Sequence, residues 1–162
     1  MNYCLVCGCK LEKRFLKNEG DIPFCSNCDT FRFPVFNAAV SMLILNQPLD
    51  KVLLIQQYQK KDNILVAGYI NQGERAEDAV AREVSEEVGL EISHISPNQS
   101  QFYAPSNTLI LNYSCIALQE DITLTDEVDK AQWFGLDEAR QAIKPNSLAQ
   151  YFLESFLTKQ GK

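Results

Sequence analysis

The chain has 162 residues, of which 46% are hydrophobic, and a formal net charge of −6 at pH 7. Its length and apolar content predict one globular domain with a small appendage, and its charge argues against nucleic acid as a partner. No apolar run approaches the roughly 18 residues of a membrane span, and the N-terminus lacks the order of a signal peptide. We therefore expect a cytoplasmic protein with no membrane partner.

The first unit, residues 1–33, has the cysteine spacing of a zinc site. Two C-x2-C pairs, Cys4 with Cys7 and Cys25 with Cys28, are separated by 17 residues. Four thiolates at such spacing close a tetrahedral structural site around Zn²⁺. The segment has few apolar residues, so the metal would supply its folding free energy. It resembles a zinc ribbon; a redox dithiol pair or free thiols are the alternatives.

Two further cysteines and a basic patch are not assigned to a site. Cys9 could compete with Cys7 for the metal, but only Cys7 keeps the x2 spacing. Cys115 lies in an apolar run and is predicted to be an inert core residue. The patch is interpreted as solvated surface, and it consists of Lys10, Lys13, Arg14 and Lys17.

Residues 34–162 predict a second domain of mixed α/β type. The apolar run 36–45 predicts a buried strand, and 51–57 a strand that returns after a turn. A short strand at 64–67 leads to a helix that begins near Ala76 and ends at Gly89. Later strands are predicted at 91–96, 101–103, 108–118 and 131–134, and helices at 136–143 and 147–157. Several strands around one central helix favour an α/β fold.

The central helix carries an acidic cluster. Glu83, Glu86 and Glu87 stand at positions i, i+3 and i+4, which share one helix face. Like charges at this spacing repel one another. A hard cation such as Mg²⁺ would reverse that effect, because it binds carboxylate oxygens and keeps open positions for phosphate. An exposed acidic helix without a ligand is the alternative.

The spacing around this helix resembles the Nudix box, G-x5-E-x7-R-E-U-x-E-E-x-G-U, in which U is apolar. Gly68, Glu74 and the run from Arg82 to Leu90 match every specified position. The resemblance implies a Nudix-type mixed sheet sandwiched between helices. It also implies metal-dependent hydrolysis, with Mg²⁺ or Mn²⁺, of a nucleoside diphosphate linked to another moiety.

The chemistry of that reaction suggests a role for each box residue. The three helix glutamates are predicted catalytic metal ligands, because metal ions neutralise a diphosphate and generate a hydroxide-like nucleophile. The resemblance implies that Arg82 orients carboxylates through Glu74, a task that suits a guanidinium fork. Gly68 would let the backbone approach metal or phosphate, and an ordinary turn glycine is the alternative.

A downstream stretch resembles a motif of the NADH pyrophosphatases, a Nudix subfamily. Residues 126–134 are similar to that subfamily's E-I-x-E-A-R-W-F stretch. On this match Glu127 is an additional Mg²⁺ ligand or a base. Lys130 and Gln132 depart from the pattern, and an acidic surface loop is the alternative.

A second subfamily motif, S-Q-P-W-P-F-P-x-S, is matched in part by residues 100–108. Ser100 and Gln101 agree with it, and Tyr103 replaces the aromatic residue, whereas the flanking prolines are absent. We predict that Gln101, Phe102 and Tyr103 bind substrate, with the rings stacking on adenine or nicotinamide. Core residues of a strand are the alternative for both rings.

The leading hypothesis is therefore a pyrophosphohydrolase for NAD(H), ADP-ribose or a similar small nucleotide conjugate. A nucleoside triphosphate pyrophosphohydrolase is a rival enzyme. A non-catalytic Nudix-like protein that binds a ligand or nucleic acid is a rival of another class, but it predicts a damaged box. The subfamily tends to carry a further domain ahead of its ribbon, whereas this sequence starts at the ribbon. A homodimer is left open.

Overall fold

A computed structural model describes residues 2–161 of the chain. The chain divides into two compact units, Met1–Phe36 and Asn37–Lys162. The first unit contains a three-stranded antiparallel sheet in the order β1-β2-β3. Its strands are β1 (Glu12–Leu16), β2 (Gly20–Cys25) and β3 (Thr30–Phe31).

The second unit contains six strands and three α-helices. They are β4 (Asn37–Leu45), β5 (Lys51–Gln56), β6 (Val66–Tyr69), α1 (Ala76–Val88), β7 (Ile92–Tyr103), β8 (Thr108–Ala117), β9 (Lys130–Gly135), α2 (Leu136–Ala142) and α3 (Leu148–Lys159). Within residues 2–161 no helix is both long and apolar enough to cross a membrane.

The six strands form one mixed sheet with β4 at its centre. The main order is β7-β8-β4-β5-β9, and β6 pairs with β4. Strand β4 runs parallel to β8 along its whole length. Its other edge is divided between β6, which pairs with residues 39–42, and β5, which pairs at Leu45. This division brings the end of β6, where Gly68 lies, alongside the first half of the central strand.

Two apolar clusters cover the two faces of this sheet. Met42 and Ile44 belong to the cluster that contains α1, whereas Leu43 and Leu45 belong to the cluster that contains α2 and α3. Successive strand residues point to opposite faces, so a strand buried on both faces needs a continuous apolar run. The prediction of a buried strand there is confirmed, as is the predicted sheet between helices.

Strand β7 differs from the prediction. The sequence predicted separate strands at 91–96 and 101–103, but Ile92–Tyr103 is one strand of 12 residues. Its pairing with β8 shifts register between Ser93 and Ser96 and again between Pro97 and Gln99. The Pro97-Asn98 pair has the composition of a turn. Because β7 is an edge strand, it can tolerate the proline and absorb the extra residues in bulges.

Candidate active site

Helix α1 carries most of the predicted catalytic residues, and its packing decides where they point. The helix side chains that pack against the sheet are fully buried, and they are Ala79, Val80, Val84 and Val88. Gly89 ends the helix with a left-handed φ of 64°, where a Cβ would lie 2.8 Å from the Cβ of Thr123. This anchoring leaves Glu83 and Glu87 on the flank of the helix, where only 8% and 3% of each residue is exposed.

A cavity of about 450 Å³ brings several predicted residues together, and we call it the carboxylate cavity. Glu83, Glu87 and Arg82 line it from α1, Gly68 from β6, and Glu127 from the loop before β9. The neighbour of Glu127, Val128, is buried in the same apolar cluster as α1, which fixes the loop against the helix. A larger cavity of about 640 Å³ near Asp50 contains none of the predicted site residues.

Gly68 lies directly against one of these carboxyl groups. A Cβ at this position would lie 2.0–2.2 Å from the carboxyl atoms of Glu83. The glycine does not have a positive φ, so the position does not need left-handed backbone. It needs the absence of a side chain, which allows the carboxylate to approach the main chain of β6.

Arg82 makes the densest set of ion pairs in the site. Its Nε and Nη2 donate to the two carboxylate oxygens of Glu74 at 2.7 and 3.0 Å, which is a bidentate pair. Its Nη1 donates to Glu83 at 2.7 Å and to Glu86 at 2.9 Å. Nη2 also donates to the main-chain carbonyl oxygen of Tyr69 at 3.0 Å. One guanidinium thus links the loop before α1 to the acidic face of the helix.

These contacts set the electrostatics of Glu74. The hydrogen bonds from Arg82, helped by the main-chain N–H of Asn71, lower the pKa of Glu74 to about 2. The same ion pair raises the pKa of Arg82 above its ordinary value. Glu74 is therefore an ionised anchor for Arg82, and it is not among the residues that line the carboxylate cavity in the described chain.

Glu87 has a different environment. Burial, together with the charges of Glu83, Glu127 and Glu86, raises the pKa of Glu87 to about 7. A hydrogen bond from Gln57 opposes this shift; Gln57 Nε2 donates to Glu87 Oε2 at 3.1 Å. Without a cation, this carboxyl group exchanges its proton near neutral pH.

The carboxylates could hold a hard cation, but they are not gathered tightly. Glu83, Glu87 and Glu127 line one cavity, and carboxylate oxygens are the ligands that Mg²⁺ prefers. In the part of the chain that the structure describes, no three carboxylates have oxygens all within 4.8 Å of one another. Like charges favour such separation. Glu86 is bound to Arg82, its side chain is 60% exposed, and it does not line the described cavity.

The predicted substrate-binding residues on β7 are exposed. Gln101, Phe102 and Tyr103 are at the end of edge strand β7, and both rings are more than two-fifths exposed. None of the three lines the carboxylate cavity as the structure describes it. Their role in substrate binding stays a prediction from the motif.

Two other tyrosines line the cavity and were missed by the sequence interpretation. Tyr58 is 77% exposed and Tyr69 is 57% exposed. Tyr69 directly follows the box glycine, and this adjacency was the available signal. Tyr58 belongs to no motif and could not be found that way. The hydroxyl residues Ser106 and Thr108 also line the cavity, and their side-chain oxygens lie 2.8 Å apart.

The four predicted zinc ligands are together in the N-terminal unit. The Sγ atoms of Cys4, Cys7, Cys25 and Cys28 all lie within 4.8 Å of one another. Main-chain N–H groups of Cys7 and Val6 lower the pKa of Cys4 to about 6, which favours the thiolate that binds metal.

The two remaining cysteines lie outside this cluster. Cys9 is exposed. Cys115 is fully buried in the core, as predicted, and burial raises its pKa to about 12.

Comparison with known proteins agrees with this geometry. The family model described as "NUDIX domain" matches residues 35–156. A protein of Pseudomonas aeruginosa strain LESB58 named "NAD-capped RNA hydrolase NudC" is 27% identical over 98% of this chain. The chain spans 56% of that relative's length.

Two solved structures share the fold. A NUDIX hydrolase from Nitrosomonas europaea matches with a TM-score of 0.69 and 18% identity, over 99% of this chain and 93% of that one. The NUDIX domain of Shewanella oneidensis NrtR, complexed with ADP ribose, matches with a TM-score of 0.67 and 15% identity, over 85% and 94% of the two chains.

Proposed function

The chain belongs to the Nudix hydrolase family, and we propose that it cleaves the diphosphate bridge of a nucleoside diphosphate linked to another moiety, in a metal-dependent reaction. The observation that carries this proposal is the meeting of Glu83, Glu87 and Glu127 in one cavity beside Gly68. NAD(H) and ADP-ribose are the proposed substrate type. The relative named for NAD-capped RNA and the NrtR domain with ADP ribose support that type.

The donor set suits a divalent cation. Three carboxyl groups share the cavity, and the charges of Glu83, Glu127 and Glu86 add to the effect of burial in raising the pKa of Glu87. We propose that Glu83 and Glu87 hold Mg²⁺ or Mn²⁺, with Glu127 as a further ligand and Glu86 beside them. When bound, the cation would neutralise the diphosphate and lower the pKa of an attacking water.

The chain's own residues would prepare that site. Arg82 restrains Glu83 and Glu86, and Glu74 restrains Arg82. Glu127 is also a candidate base, which would take the proton of the attacking water. The absence of a side chain at Gly68 lets the carboxyl group of Glu83 lie against the main chain of β6. These groups would place the bridge for attack, and correct placement lowers the barrier.

The nucleoside of the substrate could contact aromatic side chains beside the carboxylates. Tyr58 and Tyr69 both line the carboxylate cavity with largely exposed rings, and such rings stack on bases. We propose them as base-stacking residues for the half of the substrate that lies in this cavity. Gln101, Phe102 and Tyr103 stay candidates from their motif alone.

We further propose that residues 1–33 form a zinc ribbon ahead of a Nudix domain at 34–162. The convergence of four thiols within 4.8 Å supports one structural Zn²⁺ on Cys4, Cys7, Cys25 and Cys28. With four thiolates, such a site has no open position for a substrate. The catalytic work is accordingly assigned to the carboxylate cavity.

A substrate screen tests the proposal. Purified zinc-containing protein is incubated with NADH, NAD, ADP-ribose, an NAD-capped RNA oligonucleotide and nucleoside triphosphates, with and without Mg²⁺ or Mn²⁺. Mass spectrometry identifies the products. We expect metal-dependent cleavage of a conjugate at its diphosphate, with AMP released from the free dinucleotides. Metal-independent turnover, or triphosphates preferred by about a hundredfold, which is about 2.7 kcal/mol, would contradict it.

A further inference from the structure

A short turn after strand β5 contacts two elements of the carboxylate cavity, helix α1 and the loop before β9. We call residues 57–59 the Gln57 turn. On one side, Gln57 Nε2 donates to Glu87 Oε2 at 3.1 Å. On the other side, the main-chain N–H of Gln59 donates to Asp129 Oδ2 at 2.6 Å. The turn therefore contacts both the box helix and the loop that carries Glu127.

The backbone of this turn is strained. Tyr58 and Gln59 are not glycines, yet each has a φ of 57°. Side-chain-bearing residues rarely adopt this left-handed conformation, and they keep it only where the surroundings enforce it. Here Asp129 contributes twice, because its main-chain N–H also donates to the carbonyl oxygen of Gln56 at 2.9 Å. The strain thus accompanies contacts with the loop that carries Glu127.

Gln57 restrains Glu87 through a hydrogen bond, as Arg82 restrains other glutamates of the helix. Among the hydrogen bonds of the described residues, Arg82 reaches Glu83 and Glu86 but not Glu87. An amide donor suits this position, because it restrains an ionised carboxylate without neutralising it.

We infer that Gln57 is a positioning residue, which holds Glu87 Oε2 so that Oε1 is presented to a divalent cation in the carboxylate cavity. The inference rests on the proposed metal-dependent function. The Gln57 turn holds Asp129 at the same time, so one element sets both Glu87 and the loop that carries Glu127. An outer contact of this kind is worth on the order of 10-fold or more in metal affinity.

The test measures metal binding without turnover. Mn²⁺ is titrated into the full-length, zinc-containing protein without substrate, and electron paramagnetic resonance reports the free ion. Gln57→Met keeps the size of the side chain but removes the donor, and we expect Mn²⁺ binding to weaken on the order of 10-fold. In turnover assays kcat should fall while KM for the substrate changes little.

The adjacent glutamine provides a matched control. Gln56 Nε2 donates to Lys61 O at 3.2 Å and to Asn63 Oδ1 at 2.9 Å, and its side chain has no described bond to a carboxylate. Gln56→Met removes hydrogen bonds of the same kind from the neighbouring position. We expect Mn²⁺ affinity within about twofold of wild type, which corresponds to about 0.4 kcal/mol. Equal weakening by both substitutions would overturn the inference, since it would show only loss of local structure.

A second variant keeps the test decisive if Gln57→Met does not fold. Gln57→Glu has nearly the same shape, but its carboxylate repels Glu87. Without added Mn²⁺ this variant should melt below wild type, and a given Mn²⁺ concentration should raise its melting temperature less than that of wild type, because Glu87 is no longer held for the metal. Melting and Mn²⁺ response equal to wild type would overturn the inference.

The reference variant Glu87→Gln separates the two failures. If wild type and Glu87→Gln bind Mn²⁺ equally, Glu87 does not hold the metal and the proposed function fails at that residue. If Glu87→Gln loses Mn²⁺ while both Gln57 variants bind it as wild type does, the positioning inference alone fails.

Discussion

The two proposed metal sites of the described chain are built in opposite ways. The four thiols of the N-terminal unit already lie within 4.8 Å of one another. In the second unit Glu83, Glu87 and Glu127 share a cavity, but in the described chain their oxygens do not all lie within that distance. Arg82 binds Glu83 and Glu86, and Gln57 binds Glu87. We therefore expect the first cluster to depend on a bound metal, and the second to be supported by a fold that forms without one.

The buried residues of each unit explain the contrast. Within the described part of Met1–Phe36, the buried apolar residues are Cys4, Phe24 and Cys25. The second unit has two apolar clusters, one on each face of its sheet. We expect a segment with so small a core to need a structural metal, whereas apolar burial is enough for a domain with two covered faces.

Removing zinc should produce the largest effect. Cys25→Ser, or a strong chelator, should unfold the N-terminal unit, because a structural zinc contributes on the order of 10 kcal/mol to such a fold. Metal analysis should give about one zinc per chain, and proton–nitrogen correlation NMR should show collapse of the signals of residues 2–36 while the rest persist.

The control for this experiment is Cys9→Ser, since Cys9 is exposed and outside the four-thiol cluster. It should keep zinc and structure. The prediction of a structural zinc would be contradicted by protein that was prepared without chelator, carries no zinc and has the four clustered thiols free.

The catalytic cluster should respond in activity rather than in fold. Glu87→Gln should lower kcat by roughly 10³, about 4 kcal/mol of barrier, because it weakens a ligand of the metal that creates the nucleophile. Circular dichroism should stay unchanged. Steady-state kinetics measures the effect.

Glu77→Gln is the matched control for Glu87→Gln. Glu77 lies in the first turn of the same helix, and its pairing is with Arg75 at 3.7 Å, at the surface. Its kcat should remain close to wild type. A comparable loss in both variants would show that helix charge, and not a ligand at Glu87, carries the effect.

The pH dependence of stability tests whether the carboxylates repel one another before metal binds. The pKa of Glu87 in the folded protein is about 7, above the ordinary 4.5, so the native state binds its proton more tightly than the unfolded state. Without added Mg²⁺, stability should therefore fall as pH rises from about 4.5 to about 7, by on the order of 3 kcal/mol. Urea unfolding of zinc-containing protein across this range measures it.

Two controls test whether Glu87 causes this dependence of stability on pH. Glu74 has the opposite sign, because its folded pKa of about 2 gives stability that is present above about 4.5 and is lost as pH falls towards 2. Glu74 therefore adds no falling slope between pH 4.5 and 7, and Glu87→Gln should abolish the fall that Glu87 causes. Saturating Mg²⁺ should do the same. A slope that survives in Glu87→Gln would contradict the assignment.

The features that could be predicted from the sequence are those that depend on apolar periodicity or on fixed motif spacing. The buried strand β4, helix α1 and the box residues follow from apolar patterns and from a long motif, and Glu127 was found through a second motif. The spacing of Glu86 predicted a shared face with Glu83 and Glu87, but Arg82, one turn earlier, binds Glu86 at the surface. Side-chain partners of this kind are decided by competition between neighbours, which spacing does not reveal.

Two features had no usable local signal. Left-handed backbone at Tyr58 and Gln59 is set by tertiary contacts to Asp129, and neither residue type favours that conformation. The approach of Gln57 to Glu87 follows from this turn. Both depend on a loop about 70 residues further along the chain, so local sequence patterns could not predict them.

The smallest effect is expected where the backbone meets the carboxylates, at Gly68. Gly68→Ala puts a methyl group where the carboxyl group of Glu83 now lies, at 2.0–2.2 Å, so Glu83 must move. Overpacking of this kind costs about 1–3 kcal/mol of stability, and the displaced ligand should lower kcat more than it raises KM. Thermal unfolding and steady-state kinetics measure the two effects separately.

Gly73→Ala is the control for Gly68→Ala. No atom lies within 4 Å of a Cβ at Gly73, but its φ of 84° makes a side chain strained there. This variant should lose stability through the backbone while kcat stays near wild type. If Gly68→Ala instead retained full kcat and stability, the carboxylates would tolerate rearrangement, and the second cluster would not be held in place by the fold.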